Sequence, residues 1–207
     1  MQKPPRQKKP TKTGNHLAPE FAGFFGKTGS GKSTALWEKF TEWRGTKQVL
    51  VWSPKELQDD YAKRLRCKAY RDMHTLVKAA RAGKNVVFAS SLNRADDEQK
   101  FDLFNRLALN LAPCIVIVDE LHTVTKPTGG VPGWRNNTLI GRASGLSVLA
   151  ASPRPAHVDK DFFGALSYVW VGCQLYPEDA KAVSGLVLKK PEEIMHLSGH
   201  NAFTRSM

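Results

Sequence analysis

Residues 21–33 read FAGFFGKTGSGKS, and the decision about the fold rests on them. The apolar run Phe21–Phe25 predicts a short buried strand. The next eight residues, Gly26 to Ser33, match G-x-x-x-x-G-K-[ST] at every fixed position. Gly26, Gly29 and Gly31 let the backbone curl until successive N–H groups point inward and form a nest for phosphate oxygens. A helix predicted over Lys32–Trp43 adds the partial positive charge of its N-terminus. Lys32 is placed to neutralise the β- and γ-phosphates of a nucleotide, and the Ser33 hydroxyl to ligate Mg²⁺. The nucleotide-binding set is therefore Gly26, Lys27, Thr28, Gly29, Ser30, Gly31, Lys32, Ser33 and Thr34. Average residue frequencies produce the four fixed positions by chance in roughly one chain in a hundred of this length. The strand before the loop and the helix after it make coincidence rarer still.

Outward from this loop, apolar runs alternate with helical patterns. Further strands are predicted at Gln48–Trp52, Asn85–Ala89, Cys114–Val118, Leu146–Ala151 and Ser167–Gly172. Several are continuous apolar runs, as in a sheet covered on both faces. Helices are predicted at Glu56–Leu65, Met73–Ala82, Glu98–Leu111, Leu139–Ser144 and Glu178–Val183, with Asp72 as an N-cap and Gly83 as a terminator. This order predicts an α/β fold with a mostly parallel central sheet. Asn201–Arg205 is too short to assign.

The strand Cys114–Val118 ends in Asp119-Glu120. In an open parallel sheet, ligands bind beyond the C-terminal ends of the strands. Asp119 is placed there to hold Mg²⁺ through a water, and Glu120 to orient and deprotonate an attacking water. An adjacent glutamate separates motor-type ATPases from small-molecule kinases, whose acceptor needs no hydrolytic base.

Composition agrees with a globular enzyme that meets a polyanion. The 207 residues are 41% hydrophobic and 9% aromatic, enough for a packed core. Thirty-one Lys and Arg against 19 Asp and Glu give a net charge of +12 and a pI of about 9.8. Residues 1–14, MQKPPRQKKPTKTG, carry Lys3, Arg6, Lys8, Lys9 and Lys12 and no acid, and are expected to be a disordered basic arm on a single domain over 15–207. A basic body under a basic arm points to nucleic acid or a membrane surface. Cys67, Cys114 and Cys173 are scattered and lack a CxxC pair, which argues against a disulfide scaffold or a cysteine-rich zinc site and fits a reducing compartment. No apolar run reaches the roughly 18–20 residues of a membrane helix, and the N-terminus does not read as a secretory signal.

The segment Gly141–Pro155, GRASGLSVLAASPRP, resembles the FtsK–HerA superfamily of DNA-pumping ATPases. In that family a helix ending in Arg-x-x-Gly leads into a strand ending in Thr-Gln-Arg-Pro, and Arg142, Gly145, Arg154 and Pro155 fall on the matching positions. Val49–Lys55, VLVWSPK, is similar to the family's strand followed by Asp-Pro-Lys, with Ser53 in place of the aspartate. The resemblance runs from about Phe21 to Lys181. It implies a P-loop NTPase fold of the RecA/FtsK type, with helices on both faces of the sheet, and a ring of subunits, usually six, with ATP at each interface. It also implies an arginine supplied in trans, for which Arg142 is the candidate. Ser152-Pro153 stands where the family has Thr-Gln, whose glutamine would sense the γ-phosphate. Ser152 is left as the possible sensor, unless the role has moved.

A basic member of this size, without a membrane span, is most similar to the genome-packaging ATPases of tailless, membrane-containing double-stranded DNA viruses. That implies ATP and Mg²⁺ as cofactors, and double-stranded DNA and a capsid or vertex protein as partners. It also implies a place in the host cytoplasm or the virion. Two other readings are a non-motor P-loop NTPase or kinase, and an assembly ATPase of the filamentous-phage type. The Gly/Pro-rich segment His122–Thr138, read as a long loop, supplies Lys126, Trp134 and Arg135 as candidate DNA contacts. His122 is read as structural or as a hydrogen-bond relay. His196 and His200 are discounted as a metal pair because Ser198-Gly199 lies between them.

Overall fold

The computed structural model describes residues 20–91 and 93–207. The expected basic arm, and residues 15–19 of the expected domain, lie outside that range.

β1 (Phe21–Phe25) runs into the glycine loop and then α1 (Lys32–Trp43). Leu36, Phe40 and Trp43, spaced i, i+4 and i+7, are the buried apolar face of that helix. β2 (Gln48–Ser53) follows, then α2 (Glu56–Asp59) and α3 (Tyr61–Leu65). The single helix expected over 56–65 breaks at Asp60, which takes a left-handed conformation with φ 53°. Aspartate tolerates this better than most residues. The break lets the Glu56 carboxylate accept the Ala62 N–H at 2.7 Å, so α2 caps α3. β3 (Lys68–Tyr70) is a short edge strand that the sequence reading missed. α4 (Met73–Arg81) has the expected cap, with Asp72 accepting the Thr75 N–H at 2.8 Å. β4 (Val86–Ala89), α5 (Arg94–Asn110) and β5 (Cys114–Val118) complete the first half.

The second half begins with a two-stranded hairpin, β6 (Thr125–Lys126) and β7 (Gly129–Gly130), and continues into α6 (Pro132–Ile140). β8 (Ser147–Ser152), α7 (Lys160–Ala165), β9 (Tyr168–Gly172), α8 (Pro177–Val187), α9 (Pro191–Met195) and β10 (Ala202–Ser206) follow. The main sheet has the order β10-β9-β1-β8-β5-β2-β4-β3. All its neighbours are parallel except β10, which pairs antiparallel with β9.

Strand side chains alternate between two cores. Phe21 and Phe25 face α5, α6 and α7, while Ala22 and Phe24 face α1 and α3. Both faces of the inner strands are covered, so these strands are largely apolar, and β1, β5 and β8 are buried at every position.

Trp134 corrects one expectation. The segment read as a long loop is a hairpin followed by α6, which starts at Pro132 rather than Leu139 because proline is pre-set for the first helical position. That places Trp134 inside the core at 0% exposure, packed on Phe101 and Phe162, with its Nε1–H donated to Asp159 Oδ2 at 3.0 Å. It is a core anchor and cannot contact DNA. Trp134→Ala should lower unfolding free energy by about 3–5 kcal/mol, through lost packing and a stranded Asp159 carboxylate. Urea unfolding of the variant measures this. Unchanged stability together with weakened DNA binding would restore the tryptophan as a contact residue.

Candidate nucleotide site

The glycine loop is hung from both neighbours of β1. Gly26 N–H donates to Ser152 O at 3.4 Å, and Lys27 N–H to Cys173 O at 2.8 Å. Gly29 and Gly31 take φ values of 80° and 90°, a region where a side chain is strained. At Gly26 a Cβ would come within 2.5 Å of Ser30 Oγ, so this position needs glycine for space. Lys32 is 8% exposed, and its ammonium makes no direct hydrogen bond or ion pair among the described residues, although it acts on the Asp119 carboxyl across the cavity. Ser30 Oγ is buried without a partner. These are the marks of a cradle shaped for phosphate.

The acidic pair enters the same cavity, of about 320 Å³, which the loop from Thr28 to Thr34, apart from Ser30, lines with Lys55, Asp59, Asp119, Glu120 and His200. β5 and β1 are separated by β8, so the carboxylates arrive from two strands away. Asp119 is held by its own N–H donating to Trp52 O at 2.9 Å. Burial pushes its carboxyl up to about 7, with Lys32 opposing and Asp59 and Glu120 adding to the rise. Asp59 Oδ2 is also buried without a partner. Asp119, Asp59 and the exposed Ser33 line this cavity together, an oxygen donor set whose chemistry suits a divalent cation.

Glu120 adopts φ 51°, ψ 45°, a left-handed conformation that costs a non-glycine residue roughly 1–2 kcal/mol. The turn is held by Thr123, whose N–H and hydroxyl both donate to Glu120 O, at 2.9 and 2.8 Å. It aims the carboxylate into the cavity. There Glu120 Oε1 lies 2.5 Å from Lys55 Nζ, and Oε2 lies 3.5 Å from His122 Nδ1. Partial burial works against the Lys55 ammonium, but contact with Glu120, Asp119 and Asp59 outweighs it and raises its pKa. Burial pulls His122 below its ordinary pKa, against the attraction of Glu120.

The remaining candidates separate. Ser152 is buried at the end of β8 and does not line the cavity. Its Oγ accepts the Arg154 N–H at 3.1 Å and lies 3.2 Å from His122 Nδ1, so it reaches Glu120 only through His122. Arg154 is engaged by carboxylates of its own chain, Asp179 at 2.7 Å and Glu178 at 3.2 Å. Arg142 is exposed before the N-terminal end of β8, its guanidinium 5.8 Å from the centre of the Phe21 ring. That is the end of the sheet opposite the loop. Lys126, on the hairpin, and Arg135, on α6, are exposed; Lys126 lies 3.6 Å from Glu98.

Four residues of the cavity wall escaped the sequence reading as site residues: Lys55, Gln58, Asp59 and His200. Lys55 closes VLVWSPK, so its signal was present in the family-like motif. His200 carried none. It reaches the loop because β10 returns antiparallel along β9, and its ring carbons lie 3.4–3.5 Å from where a Gly31 Cβ would be.

The sheet order, the loop at the end of β1 and the acidic pair after β5 together define a P-loop NTPase fold. No protein-family model matches the chain. It is 28% identical over 152 residues to Protein P9 of Pseudoalteromonas phage PM2, an alignment covering 71% of this chain and 65% of that protein, so it spans somewhat less than two thirds of this relative's length. Its structure is similar to that of the genome packaging NTPase B204 of Sulfolobus turreted icosahedral virus 2, solved with AMP, with a TM-score of 0.70 at 14% identity over 92% of this chain and 94% of that one. The pCW3 conjugation coupling protein TcpA, solved with ATPγS, matches at a TM-score of 0.50 and 15% identity, over 90% of this chain and 59% of its own. At these identities the structural likeness is one of fold.

Proposed function

We propose that this chain is an ATP-hydrolysing translocase of double-stranded DNA, the motor that packages a viral genome into its capsid. The observation that carries the reading is Glu120. A water-activating carboxylate, held in a left-handed turn in the cavity that Lys32 lines, suits hydrolysis rather than transfer to a bound acceptor, and so speaks against a kinase. The fold shared with B204, a genome packaging NTPase, supports the packaging role.

Ser33 and Asp119 would hold Mg²⁺, which would offset charge on the β- and γ-phosphates. The loop N–H groups and Lys32 bind and orient the triphosphate. Glu120 takes the proton of the attacking water. The net charge of residues 15–207, +12 less the 5 of residues 1–14, or +7, draws the polyanion, and Lys126 and Arg135 contact its backbone. Lys126 is exposed and Glu98 half-buried, so the pair between them is solvent-screened and a DNA phosphate can compete with Glu98 for the ammonium. Residues 1–14 add a basic arm to the same partner. Subunits form a ring, a hexamer by the family pattern, docked to a capsid or vertex protein in the host cytoplasm or the virion.

The test is steady-state ATP hydrolysis with and without double-stranded DNA of random sequence. Stimulation by DNA, lost as salt rises, is the expected result. Hydrolysis indifferent to DNA at low salt would overturn the translocase reading and leave a non-motor NTPase.

A further inference from the structure

The ion pair between Lys55 and Glu120 gives the site a second lysine whose role nothing above explains. Glu120 marks where the attacking water must sit, and that water must lie against the γ-phosphoryl group. Lys55 Nζ, 2.5 Å from Glu120 Oε1, is therefore at the γ-phosphate end of the cavity, with Lys32 in the same lining. Its backbone is fixed, since Lys55 O accepts the N–H groups of Gln58 at 2.8 Å and Asp59 at 3.0 Å. Its side chain is not. It is 40% exposed, and Lys55 also lines a neighbouring cavity of about 520 Å³, so the four-carbon stem has room to swing.

We propose that Lys55 is the residue that recognises the γ-phosphate: it leaves Glu120 for the terminal phosphoryl oxygens of ATP and so frees the Glu120 carboxylate to orient water. The inference rests on the nucleotide-hydrolysing function proposed above. Without a γ-phosphate the ammonium occupies the carboxylate that hydrolysis needs. A γ-phosphoryl group carries close to two negative charges and three acceptor oxygens, and outcompetes a single carboxylate for the same ammonium. Ser152, the positional candidate for sensing, is turned toward His122 and lies outside the cavity lining, which leaves the role to another group. Lys55 is in place to take it.

The test compares ADP with ATPγS by calorimetric titration in the presence of Mg²⁺. In Lys55→Ala the affinity for ATPγS should fall roughly ten- to a hundredfold, the range of one hydrogen bond to a charged group. ADP should bind within about twofold of wild type, which also reports that the variant is folded. Lys55→Arg should recover part of the ATPγS affinity. Glu120→Gln should tighten ATPγS several-fold by releasing Lys55, and this gain should vanish when Lys55→Ala is added. Equal losses for both nucleotides, or full ATPγS affinity in Lys55→Ala, would overturn the assignment, the second outcome leaving Lys55 as a clamp on Glu120 only. Wild-type protein that binds neither nucleotide would instead refute the proposed function, so the two failures are distinguishable.

Discussion

Glu120→Gln should bind ATP and fail to hydrolyse it. The substitution keeps the size and one accepting oxygen of the side chain but removes the base. General-base catalysis contributes typically about 10²–10⁴ in rate, and single-turnover hydrolysis should fall by that factor. Binding survives because the phosphate nest is built from other groups: the N–H groups around Gly29 and Gly31, and Lys32. Lys32→Ala should show the opposite pattern. It deletes the one cation buried within the loop, and tight ATP binding should be lost before chemistry is reached. The pair of variants thus separates binding from catalysis. Near-normal turnover in Glu120→Gln would move the base elsewhere in the cavity and remove the main reason for preferring hydrolysis to transfer.

Arg142→Ala should be equally silent as a pure assembly, yet regain activity when mixed with Glu120→Gln. β8 runs parallel to β1, pairing Val148 with Phe21, and the loop lies beyond the far end of both strands. Arg142 precedes β8, so the length of a strand, on the order of 15–20 Å, separates it from its own nucleotide. From there Arg142 does not reach its own chain's loop, and the proposed role in a neighbour's site is what the mixing experiment tests. In a mixed ring some interfaces pair an intact Glu120 with an intact Arg142, and partial ATPase activity should return. An arginine finger is worth roughly 10³–10⁵ in rate, so even a minority of repaired interfaces stands above the background. Titrating each mutant against wild type shows whether one dead subunit stalls the ring. If wild-type rings tolerate dead partners and the two mutants still show no rescue, Arg142 is not the finger. Its place would then be the surface beside Phe21, where its guanidinium already sits.

Much of the molecule was legible because its signals are local. The glycine loop announces itself, since a phosphate nest needs glycines at fixed spacing and a helix immediately after. β1, α1 and β5 fall on the residues expected of them. The acidic pair was readable because a strand end in a parallel sheet is where ligands meet the fold. The misreadings share one cause: each needed knowledge of what a segment packs against. Pro132 and Gly133 look like loop residues, yet α6 starts there and packs on α5, with the Gly133 N–H donating to Asp102 at 2.6 Å, and this drew Trp134 into the core. The helix expected over 56–65 breaks because Tyr61 and Leu65 must reach the same core as Phe24 while Lys55 stays at the cavity.

The sequence by itself determined the fold class, the phosphate loop and the identities of Lys32, Ser33, Asp119 and Glu120, because those depend on spacing along the chain and on side-chain chemistry. Only the tertiary structure decided which other groups share the cavity. Lys55 meets Glu120 across 65 positions of sequence, and His200 reaches Gly31 because the last strand doubles back along β9. It also decided that Arg142 lies at the end of the sheet opposite the phosphate loop and that Ser152 turns to His122. The physical reason is the parallel sheet: it gathers the C-terminal ends of distant strands at one edge and sends their beginnings to the other, and no local pattern in the sequence records which strands become neighbours.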